Sequence, residues 1–160
     1  MKGLMRTSRG FTLIEVVVIV LVLAIAVPPT LELLMSNAAS RANTINTSRA
    51  TLLASSVLEC VIADVASGDA SLGFDALSDS AVYLDADTTG LYARMAAPTQ
   101  ALRDLGFTYE VEIGGLVSSD GAVSLDEDEN IFRTVTVRVG YPSSDGGSYS
   151  LPLSVMVSSL

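Results

Sequence analysis

Apolar and polar positions follow three different patterns along this chain. Residues 16–29 hold no charged or polar side chain, and the wider stretch 11–35 is interrupted only by Thr12, Glu15, Thr30 and Glu32. A bilayer-spanning helix needs about 20 mostly apolar residues, so this stretch is long enough when its two carboxylates lie near the ends. Residues 36–49 are helix-compatible but polar, with Asn37, Arg41, Asn43, Asn46 and Ser48. Beyond them Ala50, Leu53, Ala54, Val57, Leu58, Val61, Ile62 and Val65 recur at i, i+3, i+4, i+7, i+8, i+11, i+12 and i+15, an unbroken apolar stripe. Thr51, Ser55, Ser56, Glu59 and Asp64 are assigned to the other faces, and Gly68 supplies a stop. Together these patterns predict one long, interrupted helix over residues 11–67.

From residue 107 onward the period changes to two. Phe107, Tyr109, Val111 and Ile113 alternate with Thr108, Glu110 and Glu112 before Gly114-Gly115 breaks the run. Val135, Val137 and Val139 alternate with Thr134, Thr136 and Arg138, and Leu151, Leu153, Val155 and Val157 alternate with Ser150, Ser154, Met156 and Ser158. Pro142-Ser143-Ser144-Asp145-Gly146-Gly147 suits a hairpin loop between the last two strands. One apolar face per strand predicts an antiparallel sheet covered on a single side, with the helix stripe as the cover. Pro152 in the polar phase predicts an edge strand, and a short extra strand is expected near residues 122–125. Residues 68–106 form a variable connecting region in which Pro98, Thr99 and Gly106 predict only a short helix over 98–105. The expected class is therefore α+β, with a long N-terminal helix packed on a small C-terminal antiparallel sheet.

Composition removes most catalytic options. Of 160 residues 49% are hydrophobic, one is cysteine and none is histidine or tryptophan. One cysteine excludes an intramolecular disulfide and a cysteine-built zinc site. Without histidine there is no Ser-His-Asp or Cys-His machinery and no imidazole-ligated metal. The net charge of −9 argues against a nucleic-acid partner. That charge is unevenly placed: Lys2, Arg6 and Arg9 stand in the first ten residues without an acid, and all 18 carboxylates follow. A basic flank is the one expected to stay cytoplasmic, sending the acidic remainder across a membrane.

Three readings of the N-terminus compete. A buried core helix is disfavoured because a continuous aliphatic run has no polar stripe. An ordinary secretory signal would end at Ala24-Ile25-Ala26, a small-x-small site, but Glu15 charges the head of its apolar region and Pro28 falls almost at the new terminus. The third reading comes from Arg9-Gly10-Phe11-Thr12-Leu13-Ile14-Glu15, a short basic leader followed at once by aliphatics. This segment resembles the prepilin signature of type IV pilin-like proteins, which include type IV pilins, minor pilins and the pseudopilins of type II secretion. The resemblance covers the leader and about 25 residues after it, and implies an inner-membrane subunit, its C-terminal domain extracytoplasmic, that is later drawn into a helical filament. It further implies that a membrane-embedded prepilin peptidase cuts between Gly10 and Phe11 and methylates the new amino group of Phe11. Glu15 would then pair with the N-terminal ammonium of a neighbouring subunit and set its register. The implied partners are prepilin peptidase, other pilins or pseudopilins, the inner-membrane assembly platform and, before assembly, membrane lipid. The resemblance divides the chain into a leader (1–10), a transmembrane and assembly helix (11–35), an amphipathic continuation (36–67), the connecting region (68–106) and the sheet domain (107–160).

The residues themselves fit these roles. Gly10 lacks a Cβ, so a protease can approach its backbone closely. Glu15 is an ionisable group beside hydrocarbon and by default needs a partner, although a carboxylate at a helix N-terminus also gains from the dipole. Pro28 and Pro29 stand a few residues earlier than the single helix-breaking proline common in the family. Adjacent prolines remove two donors and clash with the preceding turn, which predicts a kink or local melting.

Few other residues suggest chemistry. Asp120, Asp126 and Asp128, within the run Asp126-Glu127-Asp128-Glu129-Asn130, are weak calcium candidates whose spacing is not that of an EF-hand. Glu110 and Glu112 read as the wet side of a strand, and Cys60 as a small, half-buried hydrophobe. The leading expectation is a non-enzymatic minor pilin or pseudopilin without a cofactor. The alternatives are a secreted binding domain whose signal ends at Ala26 and a calcium-dependent adhesin tip.

Overall fold

The computed structural model describes residues 12–67, 69 and 71–159, so Gly10, Phe11 and Gly68 lie outside the described residues. Helix α1 (Leu13–Ala66) is followed by a 3₁₀ turn (Phe74–Ser78), α2 (Ser80–Asp85), α3 (Leu91–Arg103) and strand β1 (Thr108–Val117). A second 3₁₀ turn (Glu127–Glu129), β2 (Phe132–Pro142) and β3 (Ser148–Ser158) complete the chain. Two compact units meet inside α1, the division falling between Arg41 and Ala42.

In the first unit the side chains from Leu13 to Met35 are exposed, including Leu13, Leu21, Ile25 and Leu34. Among the described residues, α1 is the one helix long and apolar enough to cross a membrane, and none of its most apolar stretch is buried within the chain. The helical assignment carries through Pro28 and Pro29. Of the two outcomes expected there, local melting does not occur. Just after the prolines, the Thr30 hydroxyl donates back to the carbonyls of Val27 at 2.8 Å and Ala26 at 3.3 Å.

In the second unit the sheet is an antiparallel meander in the order β1-β2-β3. Val111 pairs with Val137 and Val137 with Leu153, so alternate residues of all three strands share the inner face. That face packs on Ala50, Leu53, Ala54, Val57, Leu58 and Val61 of α1, which makes the molecule the α+β arrangement the periods predict. The stripe differs from expectation at its end: Ile62 is exposed and Asp64 buried. The polar part of α1 is also used. Asn46 donates to the Pro142 carbonyl at 3.0 Å, and Asn43 accepts from the Ser144 amide at 2.9 Å. Thr47 shares a 3.2 Å hydrogen bond with the Tyr141 hydroxyl, so the β2–β3 hairpin is tied to the helix through groups that an apolar count ignores.

Three local expectations fail for identifiable reasons. Gly114-Gly115 does not end β1 but forms a register shift between Ile113 and Leu116, where two residues oppose one on β2. Residues 122–125 form no strand, because the Ser124 amide and carbonyl bond the Asn130 side chain instead of a ladder. Helix α3 begins at Leu91 rather than near Pro98. Buried Leu91, Met95 and Thr99 lie at i, i+4 and i+8, a packed stripe that offsets the cost of about 3 kcal/mol for an internal proline. Its end is as expected. Gly106 at φ +84° donates to the Arg103 carbonyl, and Phe107 donates to the Leu102 carbonyl, a glycine-dependent C-terminal motif.

Both sheet edges are managed. The outward Val111 amide of β1 donates to the Tyr92 hydroxyl of α3 at 3.0 Å, and β3 carries Pro152 opposite Arg138. Phe107, 1% exposed, sits in the core between α3 and β1. Phe107→Ala is expected to lower the unfolding free energy by about 3–5 kcal/mol. Denaturant titration of the full chain in detergent should show this, with exposed Met156→Ala changing by no more than about 0.5 kcal/mol.

Candidate functional site

The head of α1 is built by its first turn. The Thr12 hydroxyl accepts from the Glu15 amide at 3.3 Å and the Thr12 carbonyl accepts from the same amide at 3.1 Å, the N-terminal half of a Thr-x-x-Glu capping pattern. Glu15 is exposed, and its carboxylate makes no hydrogen bond or ion pair among the described residues. An acid followed directly by Val16, Val17, Val18, Ile19 and Val20, all exposed, stands at the border of a surface that water does not favour. The geometry therefore offers one carboxylate at the mouth of a helix otherwise suited to lipid or to other apolar helices. Pro28 and Pro29 end the uninterrupted apolar stretch, away from this group in sequence.

Among the described residues no group of three or more His, Cys, Asp or Glu side chains is placed to hold a metal. Asp120, Asp126 and Asp128 lie in the loop between β1 and β2. Their oxygens serve local turns. Asp120 accepts from the Ser118 hydroxyl and the Ala122 amide, which hold its carboxyl below the usual range, and Asp126 accepts from the Asp128 amide. Glu110 lies on the exposed face of β1, and exposed Glu112 pairs with Arg138 at 3.3 Å, the wet side of the sheet.

One polar cluster escaped sequence reasoning. Asp64, 6% exposed, receives both Nη atoms of Arg94 at 2.7 and 2.6 Å and the Tyr83 hydroxyl at 2.6 Å. The Arg94 Nε donates to the Thr89 carbonyl, and its guanidinium lies 5.9 Å from the Tyr83 ring centroid. Half-buried Cys60 stands 3.8 Å from Arg94, and burial, reinforced by Asp64, keeps its thiol above the ordinary value. Burial and then Asp64 likewise push the Tyr83 hydroxyl well above the tyrosine range. A bidentate, three-donor carboxylate with a high-lying phenol and thiol favours the unreactive protonation state of each, so the cluster is a structural clasp joining α1, α2 and α3. Its signal was available in the sequence: Asp64 follows Val57 and Val61 at i+7 and i+3, the phase of the buried stripe.

Comparison with known proteins bears on the head of α1. Residues 5–27 match the family model described as a prokaryotic N-terminal methylation motif. No curated protein and no solved structure matches the chain. The motif begins in the basic leader and runs into the exposed apolar half of α1. The motif supports a type IV pilin-like prepilin processed by a peptidase, and the apolar helix it enters is consistent with membrane anchoring.

Arg94→Ala leaves the Asp64 charge buried and unpaired. It is expected to cost about 3–5 kcal/mol in denaturant unfolding, and the joint replacement Asp64→Leu, Tyr83→Phe, Arg94→Met to recover most of that loss. The raised Tyr83 hydroxyl keeps its proton in the folded chain while an unfolded tyrosine ionises near pH about 10. Its contribution to stability is complete below that pH and declines as pH rises further. Stability–pH curves should show this decline shrinking in Tyr83→Phe.

Proposed function

We propose that this chain is a minor pilin or pseudopilin, a non-catalytic subunit of a type IV pilus-like or type II secretion filament. Prepilin peptidase cuts between Gly10 and Phe11 and methylates the amino group of Phe11. The mature subunit stays in the inner membrane through the apolar half of α1, with the sheet domain on the extracytoplasmic side. The assembly platform then draws it into a filament whose interior is made of such helices.

The observation that supports this most is the exposed Glu15 carboxylate, without a partner among the described residues, at the head of an exposed apolar helix inside the matched methylation motif. An ionisable group beside hydrocarbon is costly without an opposite charge, and cleavage after Gly10 creates an ammonium four residues before Glu15 on each subunit. The acid of one subunit and the amine of the next compensate each other in the apolar interior. The Thr12 hydroxyl, by holding the Glu15 amide, fixes the turn that carries the carboxylate. The exposed aliphatics from Val16 to Leu34 supply the packing surface between subunits.

Intact-mass analysis of the mature chain should find a start at methylated Phe11. A start at Val27 instead would identify an ordinary secretory signal and remove the proposal. Gly10→Val should block processing. Glu15→Val should be processed but leave a neighbour's ammonium unpaired, at about 2.5–3.5 kcal/mol, lowering filament incorporation about a hundredfold. Incorporation at the level of the unaltered chain would show that Glu15 has no role in assembly.

A further inference from the structure

The loop between β1 and β2 shows the opposite of what a solvated turn needs. Leu125 is 105% exposed and Val123 75%, and Leu116 and Ile131, where the loop leaves the sheet, are 42% and 46% exposed. Val123 and Leu125 pack against nothing in the domain, which leaves them available to another chain. The segment is also tied down. The Ser124 amide donates to Asn130 Oδ1 at 2.8 Å, Asn130 Nδ2 returns a bond to the Ser124 carbonyl at 3.0 Å, and the Ser124 hydroxyl donates to Glu129 Oε2 at 2.7 Å. Leu125 follows directly on this closed neck, so much of the backbone entropy a partner would otherwise have to remove is already lost in folding.

Charge decides what can dock. Asp120, Asp126, Glu127, Asp128 and Glu129 surround these aliphatics, and no lysine or arginine lies within residues 117–131. A second copy is a poor complement, since its unit from Ala42 onward carries 16 acids against five arginines. Arg94 is held by Asp64 and Thr89, Arg103 by Ala96 and Gln100, Arg133 by Gly114, and Arg138 by Glu112. Among the described residues of that unit, Arg49 alone stands outside such a bond, and two copies meeting loop to loop would oppose acid with acid. An anionic lipid surface and a nucleic acid fail for the same reason.

We infer that the loop over residues 118–131 is a docking element for a different protein chain, one that presents lysine or arginine around an apolar recess that takes Leu125. The acids steer and orient the encounter, and Leu125 with Val123 supplies the buried contact. The inference goes beyond the filament reading and does not rest on it.

The test places a photo-cross-linking phenylalanine at position 125 of the full chain in the cells that produce it, and maps the adducts by mass spectrometry. The expected adduct joins position 125 to a chain of other sequence, at a site flanked by lysine or arginine. Its yield should fall about tenfold when Asp126→Asn, Glu127→Gln, Asp128→Asn and Glu129→Gln are combined, four pairs each of modest strength. With the probe moved to Val123, Leu125→Ser should lower the yield by a similar factor, its melting profile unchanged because the side chain contacts no core. Adducts confined to copies of this chain, adducts to lipid, no adduct, or a yield indifferent to the four neutralised acids each overturn the inference. Intact mass of the same preparation separates the outcomes: a methylated Phe11 start with no such adduct rejects the docking loop alone, whereas a different start rejects the filament reading alone.

Discussion

An apolar surface must be covered by something, and in this molecule one helix carries two such surfaces that are covered differently. Ala50, Leu53, Val57 and Val61 of α1 are covered by the sheet, from within the chain. The aliphatics from Leu13 to Met35, in the other unit, are exposed among the described residues. Hydrophobic burial scales with area removed from water, so the first surface folds the domain and the second has to be satisfied by lipid or by other chains. The remaining features follow from which of these two demands they serve.

Within the folded unit the demand is met with few residues to spare. Three strands give a small sheet, and each edge carries one feature that hinders further pairing, the Tyr92 hydroxyl bond on β1 and Pro152 on β3. The polar groups of the helix then do what apolar packing cannot. Asn43, Asn46 and Thr47 hold the β2–β3 hairpin, and Asp64 fastens α2 and α3 through Tyr83 and Arg94. Directional bonds of this kind fix which way small elements lie, where nonspecific burial would allow several arrangements.

At the N-terminal end the demand meets a charge. Glu15 is the acid at the head of the exposed apolar run, with Glu32 the next one near its other end. A carboxylate here is tolerable in water and costly in hydrocarbon unless an amine joins it. The matched methylation motif sits on this boundary, which is why the motif and the exposed helix carry more weight together than either does alone. The acidic loop after β1 shows a related tension, with aliphatics left in water among carboxylates.

Features that repeat at short range were legible in the order of residues alone. The uninterrupted aliphatic run, the 3.6-residue stripe, the three alternating strands, the glycine stop at Gly106 and the leader motif are all local patterns, and local backbone geometry turns each into one kind of element. Partners far apart in sequence were decided only by the tertiary structure. Asp64 reads as a surface acid until Tyr83 and Arg94 are brought to it from 19 and 30 residues away. The glycine pair in β1 reads as a break until β2 absorbs it as a bulge, and Pro98 reads as a helix start until the packing of Leu91 and Met95 carries α3 through it. Periodicity reports which side of an element is buried, because that depends on neighbours a few residues away. It cannot report what a buried charge touches, because that depends on how separate elements meet.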